Sequence, residues 1–313
     1  MTGFSHVSVL LDESVDALAP ERGGVFVDCT AGGGGHSAAI AERLPGGGRL
    51  VAIDRDEEAV AAARNRLEKY GPRCTVVRSN YSDVGAVLDS LGIDRINGVL
   101  WDLGVSSHQL DEADRGFSYG ADAPLDMRMD RSGGITAADV VNGYGFEQLK
   151  RIIRDYGEEK FAGPVAKSIC EARDKAPVVS TVQLAEAIIR GIPAAARKSE
   201  AQHPAKRTFQ AIRIEVNGEL DGIEPSIRAA VERLAPGGIA AVISFHSLED
   251  RIVKRTFQDL ATGCTCPPEF PVCVCGKKPT VELITKKPIL PSDDETKANP
   301  RARSAKLRVV RKL

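Results

Sequence analysis

Gly24-Val25-Phe26-Val27-Asp28-Cys29-Thr30-Ala31-Gly32-Gly33-Gly34-Gly35-His36 is the stretch that decides the fold of this chain. A strand-like apolar run ends on Asp28, a run of glycines follows, and helix-like sequence starts near His36. The next apolar run, Leu50 to Ile53, delivers Asp54 nineteen residues past Gly35. A strand, a glycine turn, a helix start and then a carboxylate about 20 residues on is how an open α/β sheet binds a nucleoside-containing cofactor. Glycines let the backbone approach the ligand, the helix N–H groups face it, and the carboxylate can take two ribose hydroxyls. The stretch points to an enzyme; it does not choose the cofactor.

Outward from this loop, strand-like and helix-like segments alternate. After the turn Pro45-Gly46-Gly47-Gly48, Glu57 to Tyr70 reads as one helix, with Asp54 or Asp56 as its cap and Gly71-Pro72 as its stop. Thr75 to Arg78 reads as a third strand, Val84 to Leu91 as a helix and Ile96 to Leu103 as a fourth strand. This alternation predicts a parallel sheet. It stops at a loop-like stretch, Gly104 to Gly134, and purely helical sequence follows. Phe146, Leu149, Ile152, Ile153 and Tyr156 share one helix face, Phe161, Val165 and Ile169 another, and Ser180 to Gln183 forms a capping box. Ala194 to Arg207, polar and basic, reads as a loop or hinge. Sheet-like sequence resumes with Ile239 to Ser244 as a fifth strand, Leu248 to Leu260 as a helix, and Val281 to Thr285 and Lys306 to Val310 as final strands. The expected fold class is α/β: a Rossmann-like doubly wound sheet (residues 1–107 and 213–313) interrupted by an all-helical insertion (108–212).

Composition narrows the class further. An apolar share of 42% with 27% charged residues fits a soluble globular protein. No apolar run approaches the ~20 residues that span a bilayer, and the first residues lack a basic, signal-like segment. A cytoplasmic protein without membrane contact is expected, with its oligomeric state open. The net charge of −1 conceals asymmetry: from Arg251 onward there are 14 Lys or Arg against 6 Asp or Glu, and no acid follows Glu295. This C-terminal arm reads equally as a polyphosphate contact and as a solubilising tail. Cys264, Cys266, Cys273 and Cys275 form a C-x-C, C-x-C pattern around Pro267, Pro268 and Pro271. Four thiolates could hold zinc, but C-x-C spacing strains a single tetrahedral centre, so reduced surface thiols and no metal are expected. Cys29, Cys74 and Cys170 read as packing residues.

The glycine loop can be parsed two ways. Gly33-x-Gly35-x-x-Ala38 satisfies the dinucleotide pattern, which keeps a nicotinamide enzyme open. Alternatively, Asp28 and Asp54 match the amino-acid and ribose ends of S-adenosylmethionine (SAM). Two further strand ends favour SAM. Asn80-Tyr81-Ser82 follows strand three, and Asp102 ends strand four in Trp101-Asp102-Leu103-Gly104-Val105-Ser106-Ser107-His108-Gln109. A single such carboxylate is better read as a helix cap, but polar groups at four strand ends in register are not.

Six blocks then carry a resemblance. They are Asp102 to Asp111, Arg115-Gly116-Phe117-Ser118, Pro124-Leu125-Asp126-Met127-Arg128-Met129, His203 to Arg213, Ser244 to Lys254, and Asn299 to Ser304. Together they resemble the RsmH (MraW) family of bacterial 16S rRNA cytosine-N4 methyltransferases over essentially the whole chain. The resemblance implies SAM-dependent methyl transfer to the exocyclic amine of a cytidine near the ribosomal decoding centre, with 16S rRNA of the small subunit as partner. It implies SAM contacts from Gly34, Gly35, His36, Asp54, Tyr81, Asp102 and Gln109. Asp102 or a neighbouring carbonyl is the natural acceptor for the amine; the Asn/Asp-Pro-Pro-aromatic segment common in amino-methylating enzymes is absent here, which leaves the acceptor open, with a contact to the cofactor alone as the other reading of Asp102. His246 reads either as a base-orienting group or as the linker before an N-cap box formed by Ser247 and Asp250. Phe117 and Tyr119, flanked by Arg115, read as a clamp for an extruded base or as a small satellite core. Arg207, Arg213, Arg301 and Arg303 are candidate phosphate contacts, each with a solvated surface position as its alternative.

Overall fold

A computed structural model describes residues 8–199, 202–267, 272 and 274–313 of the chain. The chain divides into two compact units, Met1–Gly104 with Leu220–Leu313, and Val105–Glu219. No helix among the described residues is long and apolar enough to cross a membrane.

The first unit is a seven-stranded sheet. Its strands are β1 (Val25–Asp28), β2 (Arg49–Asp54), β3 (Cys74–Arg78), β4 (Ile96–Asp102), β5 (Leu234–Ser244), β6 (Val281–Leu283) and β7 (Lys306–Lys312). They run in the order β3-β2-β1-β4-β5-β7-β6. The first five pair in parallel, while β7 is antiparallel to both β5 and β6. This is a Rossmann-like sheet with a reversed strand slipped in near one edge. Alternate residues feed two cores. Val27, Val51, Ile53, Val99, Trp101 and Val242 face one, and Phe26, Leu50, Ala52, Leu100, Ala241 and Ile243 face the other. Strands buried on both faces must be apolar at every interior position, which is why these runs lack polar alternation.

Several elements differ from the sequence expectation for physical reasons. The long helix after β2 is an α-helix only over Glu57–Leu67; a 3-10 stretch, Glu68–Arg73, follows and breaks at Gly71, whose φ is 65°. Asp56, not Asp54, caps it by accepting from Glu58 N. β5 begins at Leu234 and runs through Pro236-Gly237-Gly238, with its register against β4 shifting before Gly98. Two short helices escaped notice, Leu11–Leu18 and Asp293–Ala298. They are tied together where Glu295 Oε1 accepts from Leu10 N at 2.8 Å. The basic C-terminal stretch is no free arm: its second half is β7, and Arg308 and Lys306 pair with Asp250 at 2.7 and 3.3 Å.

The second unit is helical, and its core draws Leu149, Ile152, Ile153, Val165, Ile169, Leu184 and Ile188 from three consecutive helices, Phe146–Asp155, Ala162–Arg173 and Thr181–Gly191. The capping box of Ser180 and Gln183 is formed. The stretch read as a hinge holds a short helix, Ala194–Ser199, and the start of a longer one, Lys206–Asn217.

One polar chain crosses the first unit's core. Trp101 Nε1 donates to Ser226 Oγ at 2.9 Å, and Ser226 Oγ donates to the Tyr81 carbonyl at 2.9 Å. Ser226 is wholly buried and Trp101 nearly so. Ser226→Ala strands the buried indole N–H, while the Tyr81 carbonyl keeps its bond from Val84 N. A loss of about 1–3 kcal/mol is expected. It should appear as a lower urea midpoint followed by the fluorescence of Trp101, the chain's single tryptophan. An unmoved midpoint would refute this role for the serine.

Candidate active site

The parallel strands bring their C-terminal ends to one edge of the sheet, and β1, β2 and β4 each end there on an aspartate. Asp28 is completely buried. It accepts from Thr30 N at 3.2 Å and from Ser37 Oγ at 2.6 Å, so it clamps the turn that follows β1 to the first turn of helix Gly35–Arg43. Asp54, half-buried, accepts from Gly32 N at 2.8 Å and from Asp56 N at 2.9 Å. The carboxylate on β2 therefore fixes the glycine loop on β1. Each of its oxygens keeps capacity for a further donor.

The loop needs its glycines for different reasons. Gly34 has a φ of 77°, a left-handed conformation that side chains resist. A Cβ on Gly35 would lie 2.0 Å from Ser8 Oγ. His36, the second residue of the helix, is buried, with Nε2 3.1 Å from the Val9 carbonyl oxygen. A carbonyl only accepts, so Nε2 carries the hydrogen. His36 Nδ1 faces Asp102 Oδ2 at 3.6 Å.

Asp102 is the most strained of the group. Its main-chain N–H donates to Thr30 Oγ1 at 2.6 Å. Its side chain is 21% exposed, yet Oδ1 is buried and has no hydrogen-bond partner among the described residues. Burial, then the charges of Asp28 and Glu249, push its pKa well above the ordinary carboxylate value. Burial also raises Asp54, partly offset by hydrogen bonds from Asp56 and Gly32. It raises Asp28 to about 6, against the hydrogen bonds of Ser37 and Thr30 and with the help of the Asp54 charge. An unsatisfied buried carboxyl oxygen beside like charges is costly in a resting protein and points to a site that awaits a ligand.

The remaining candidates are placed differently. Tyr81 opens the short turn Tyr81–Asp83 after β3, its carbonyl held by Ser226 and its ring packed over Gly222. His246 follows β5 and is itself the N-cap of helix Ser247–Ala261. Its Nδ1 accepts from Glu249 N at 3.4 Å, and Glu249 Oε2 accepts from Phe245 N and His246 N at 2.8 and 3.2 Å. The box is thus His246 with Glu249, not Ser247 with Asp250. His246 Nε2 lies 3.1 Å from Glu249 Oε1 but off the hydrogen-bond line.

In the helical unit, Gln109 is buried in a capping box with Ser106. Arg115 is buried, and its Nη2 donates to the carbonyls of Arg128 and Met129 at 3.1 and 3.0 Å. Phe117 lies in the unit's core, which fits the satellite-core reading and takes its ring away from solvent. Tyr119 stacks on His203 with ring centroids 4.3 Å apart and meets Phe209 edge-on. Arg213 forms a two-pronged pair with Glu219 at 2.9 and 2.8 Å. Arg207 lies 3.9 Å from the buried Glu159 carboxylate. Arg301 and Arg303 sit exposed on the turn Pro300–Ser304. Cys273 lies outside the described residues, as do Pro268 and Pro271.

Sequence reading passed over Thr30, Ser37 and Glu249, which hold the edge carboxylates and the loop after β5. Thr30 was legible as the one hydroxyl between Asp28 and the glycines. Glu249 was legible as a carboxylate three residues past His246, the spacing of a capping box.

The description of a methylase family, MraW, matches residues 3–313 of the chain. Curated relatives named ribosomal RNA small subunit methyltransferase H are similar to it. The protein of Brevibacillus brevis is 55% identical over 310 residues, covering 99% of this chain and 98% of its own length. That of Symbiobacterium thermophilum is 55% identical over 310 residues, covering 99% and 97%. Among solved structures, an O-methyltransferase from Bacillus cereus in complex with SAH is similar at a TM-score of 0.46 and 9% identity, over 99% of this chain and 84% of that one.

A pH dependence follows from Asp28. Below its unfolded-state pKa, near 3.8, the carboxyl is protonated in both states and contributes nothing. As pH rises towards about 6, the unfolded chain releases the proton while the folded chain keeps it, so stability falls. The loss is on the order of 3 kcal/mol and levels off above the folded pKa. Asp28→Asn removes this slope. Urea denaturation of both proteins across that window should show wild type declining relative to the variant, and parallel curves would contradict the assignment.

Proposed function

The chain belongs to the MraW methylase family, and from that premise we propose that it transfers a methyl group from SAM to the exocyclic N4 amine of a cytidine in the decoding region of 16S rRNA. The observation that carries this reading is the trio Asp28, Asp54 and Asp102, set at the ends of three strands around a glycine loop. The names of the curated relatives support the substrate class. The six motif blocks, present in full, support the choice of amine.

The residues fit SAM in charge and in shape. Carboxylates crowded at one edge suit a cation and oppose a pyrophosphate, which favours SAM over a nicotinamide dinucleotide. Asp54, anchored through Gly32 N with spare acceptor capacity, would hold the ribose hydroxyls. Gly34, Gly35 and His36 would line the amino-acid end, and Tyr81 the adenine. The resemblance of the Asp102 to Asp111 block adds Gln109 to the proposed SAM contacts. When bound, SAM supplies a methyl group already activated by its sulfonium, so that no general acid is needed to make it electrophilic.

The chain's own task is then to align the amine and manage one proton. Cytosine N4 shares its lone pair with the ring, so an acceptor beside its N–H makes it a better nucleophile. Asp102 is the acceptor we assign. Burial and the charges of Asp28 and Glu249 raise its pKa, and a nearby positive charge opposes that shift. His36, 3.6 Å from its Oδ2, orients that carboxylate. His246, fixed as a cap, would bound the base side of the site by position; its ring nitrogen Nδ1 is already engaged. Holding the nucleophile at ~3–3.5 Å from its target accounts for most of the acceleration such a site needs. Arg301 and Arg303, exposed on the turn Pro300–Ser304, are the phosphate contacts we favour.

Two measurements test this. Nucleoside mass spectrometry of small-subunit rRNA, from cells with and without the chain, should show N4-methylated cytidine only when it is present; identical profiles would remove the substrate. Asp54→Ala should weaken SAM binding by calorimetry at least about 100-fold, the loss of charge-assisted hydrogen bonds to two hydroxyls. Its far-ultraviolet circular dichroism should match wild type. Unaltered affinity would overturn the ribose assignment.

A further inference from the structure

Helix Ser247–Ala261 is joined to β6 by a long connection, residues 262–280, without regular structure where it is described. It has little core of its own: Val272 and Val274 are 70% and 74% exposed. Its ends are pinned where Thr280 N donates to the Leu260 carbonyl at 2.8 Å and Lys277 pairs with Asp259 at 2.6 Å. Connections of this length are uncommon unless something orders them.

Three cysteines converge within it. The sulfurs of Cys264, Cys266 and Cys275 all lie within 4.8 Å of one another. Apolar packing does not explain the convergence, because Cys264 and Cys275 are exposed and Cys266 is only partly buried, whereas unreactive cysteines are among the most buried residues. A disulfide does not explain it either: Cys264 Sγ and Cys275 Sγ are 3.7 Å apart, against the ~2.05 Å of an S–S bond. Two thiolates each ~2.3 Å from one tetrahedral ion stand ~3.8 Å apart, which matches the observed separation.

The main chain adds an independent sign. Cys266 N–H donates to Cys264 Sγ and Val274 N–H donates to Cys266 Sγ, both at 3.4 Å. Neutral thiols are weak acceptors, while thiolates accept well, and amides turned onto sulfur are the support that metal-bound thiolates require.

We propose that Cys264, Cys266 and Cys275 bind one soft divalent cation of the zinc class, which orders the connection between helix Ser247–Ala261 and β6. The C-x-C spacing that argued against a single centre is relieved because Cys275 Sγ lies within 4.8 Å of the Cys264 and Cys266 sulfurs. The site has a structural role and is independent of the methyl-transfer reading. Cys273 is not part of the proposed set.

The test uses the full-length chain, purified under reducing conditions. Elemental analysis should give about one zinc per chain, at the occupancy expected of a structural site. After chelation, titration with cobalt(II) should produce a sulfur-to-cobalt charge-transfer band and the intense visible bands of a tetrahedral ion. Cys264→Ser and Cys275→Ser should each lose the zinc and the charge-transfer band. Cys170→Ser, in the helical unit, should keep both. Wild type without zinc and without the cobalt band would overturn the proposal. So would a Cys264→Ser protein that retains both, or a non-reducing mass spectrum showing Cys264 linked to Cys275 in freshly purified protein.

Discussion

The structure depends on one constraint: a parallel sheet covered on both faces has only its strand ends in which to place polar chemistry. The interior positions of β1 and β2, and those of β4 and β5 over Val99–Trp101 and Ile239–Ile243, are taken by packing, with alternate residues committed to two cores. Carboxylates can therefore appear only where the strands stop, and because the strands are parallel they stop together. Asp28, Asp54 and Asp102 are neighbours for that reason alone. The glycine loop must then turn sharply from β1 into its helix within reach of Asp54, and the Gly32 N–H bond to that carboxylate makes the two strands' loops one rigid piece.

Much of this was legible because burial on both faces leaves a strong mark in sequence. The runs Val25–Val27, Leu50–Ile53 and Gly98–Trp101 are apolar and each is closed by an aspartate. An aspartate closing such a run signals a strand end as clearly as a proline signals a helix start. The reversed β7 was legible too, since Leu307, Val309 and Val310 are apolar amid lysines and arginines. What misled was the charge on those neighbours: Lys306 and Arg308 suggested an arm, although their partner Asp250 lies on a helix distant in sequence. Helix Leu11–Leu18 was missed because its entry residue Leu10 adopts a φ of 51°, a conformation that no leucine advertises.

The candidate site was less legible in its polar details. Composition treats arginine as a surface residue, yet Arg115 is buried because the irregular loop around Met129 leaves carbonyls that no ladder satisfies. A guanidinium with five donors meets that need at one position. The cap of helix Ser247–Ala261 was assigned one residue late because two overlapping Ser/His-x-x-acid patterns fit the same sequence. Only the paired bonds of Glu249 to Phe245 N and His246 N distinguish them.

Energetically, the strand ends are the place where this fold accepts a loss. Asp28 is held by two donors and its pKa is still raised to about 6, and Asp102 leaves one oxygen buried without a partner among the described residues. Replacing either with a neutral polar group of the same shape would relieve the unliganded protein, which is the usual sign that a position is kept for binding and not for stability. A ligand that brings positive charge to that edge offsets the loss, since it binds the folded chain and not the unfolded one. A ligand bringing negative charge would add to the loss instead. The sign of the charge at three strand ends thus discriminates between cofactors that the glycine pattern alone leaves equal.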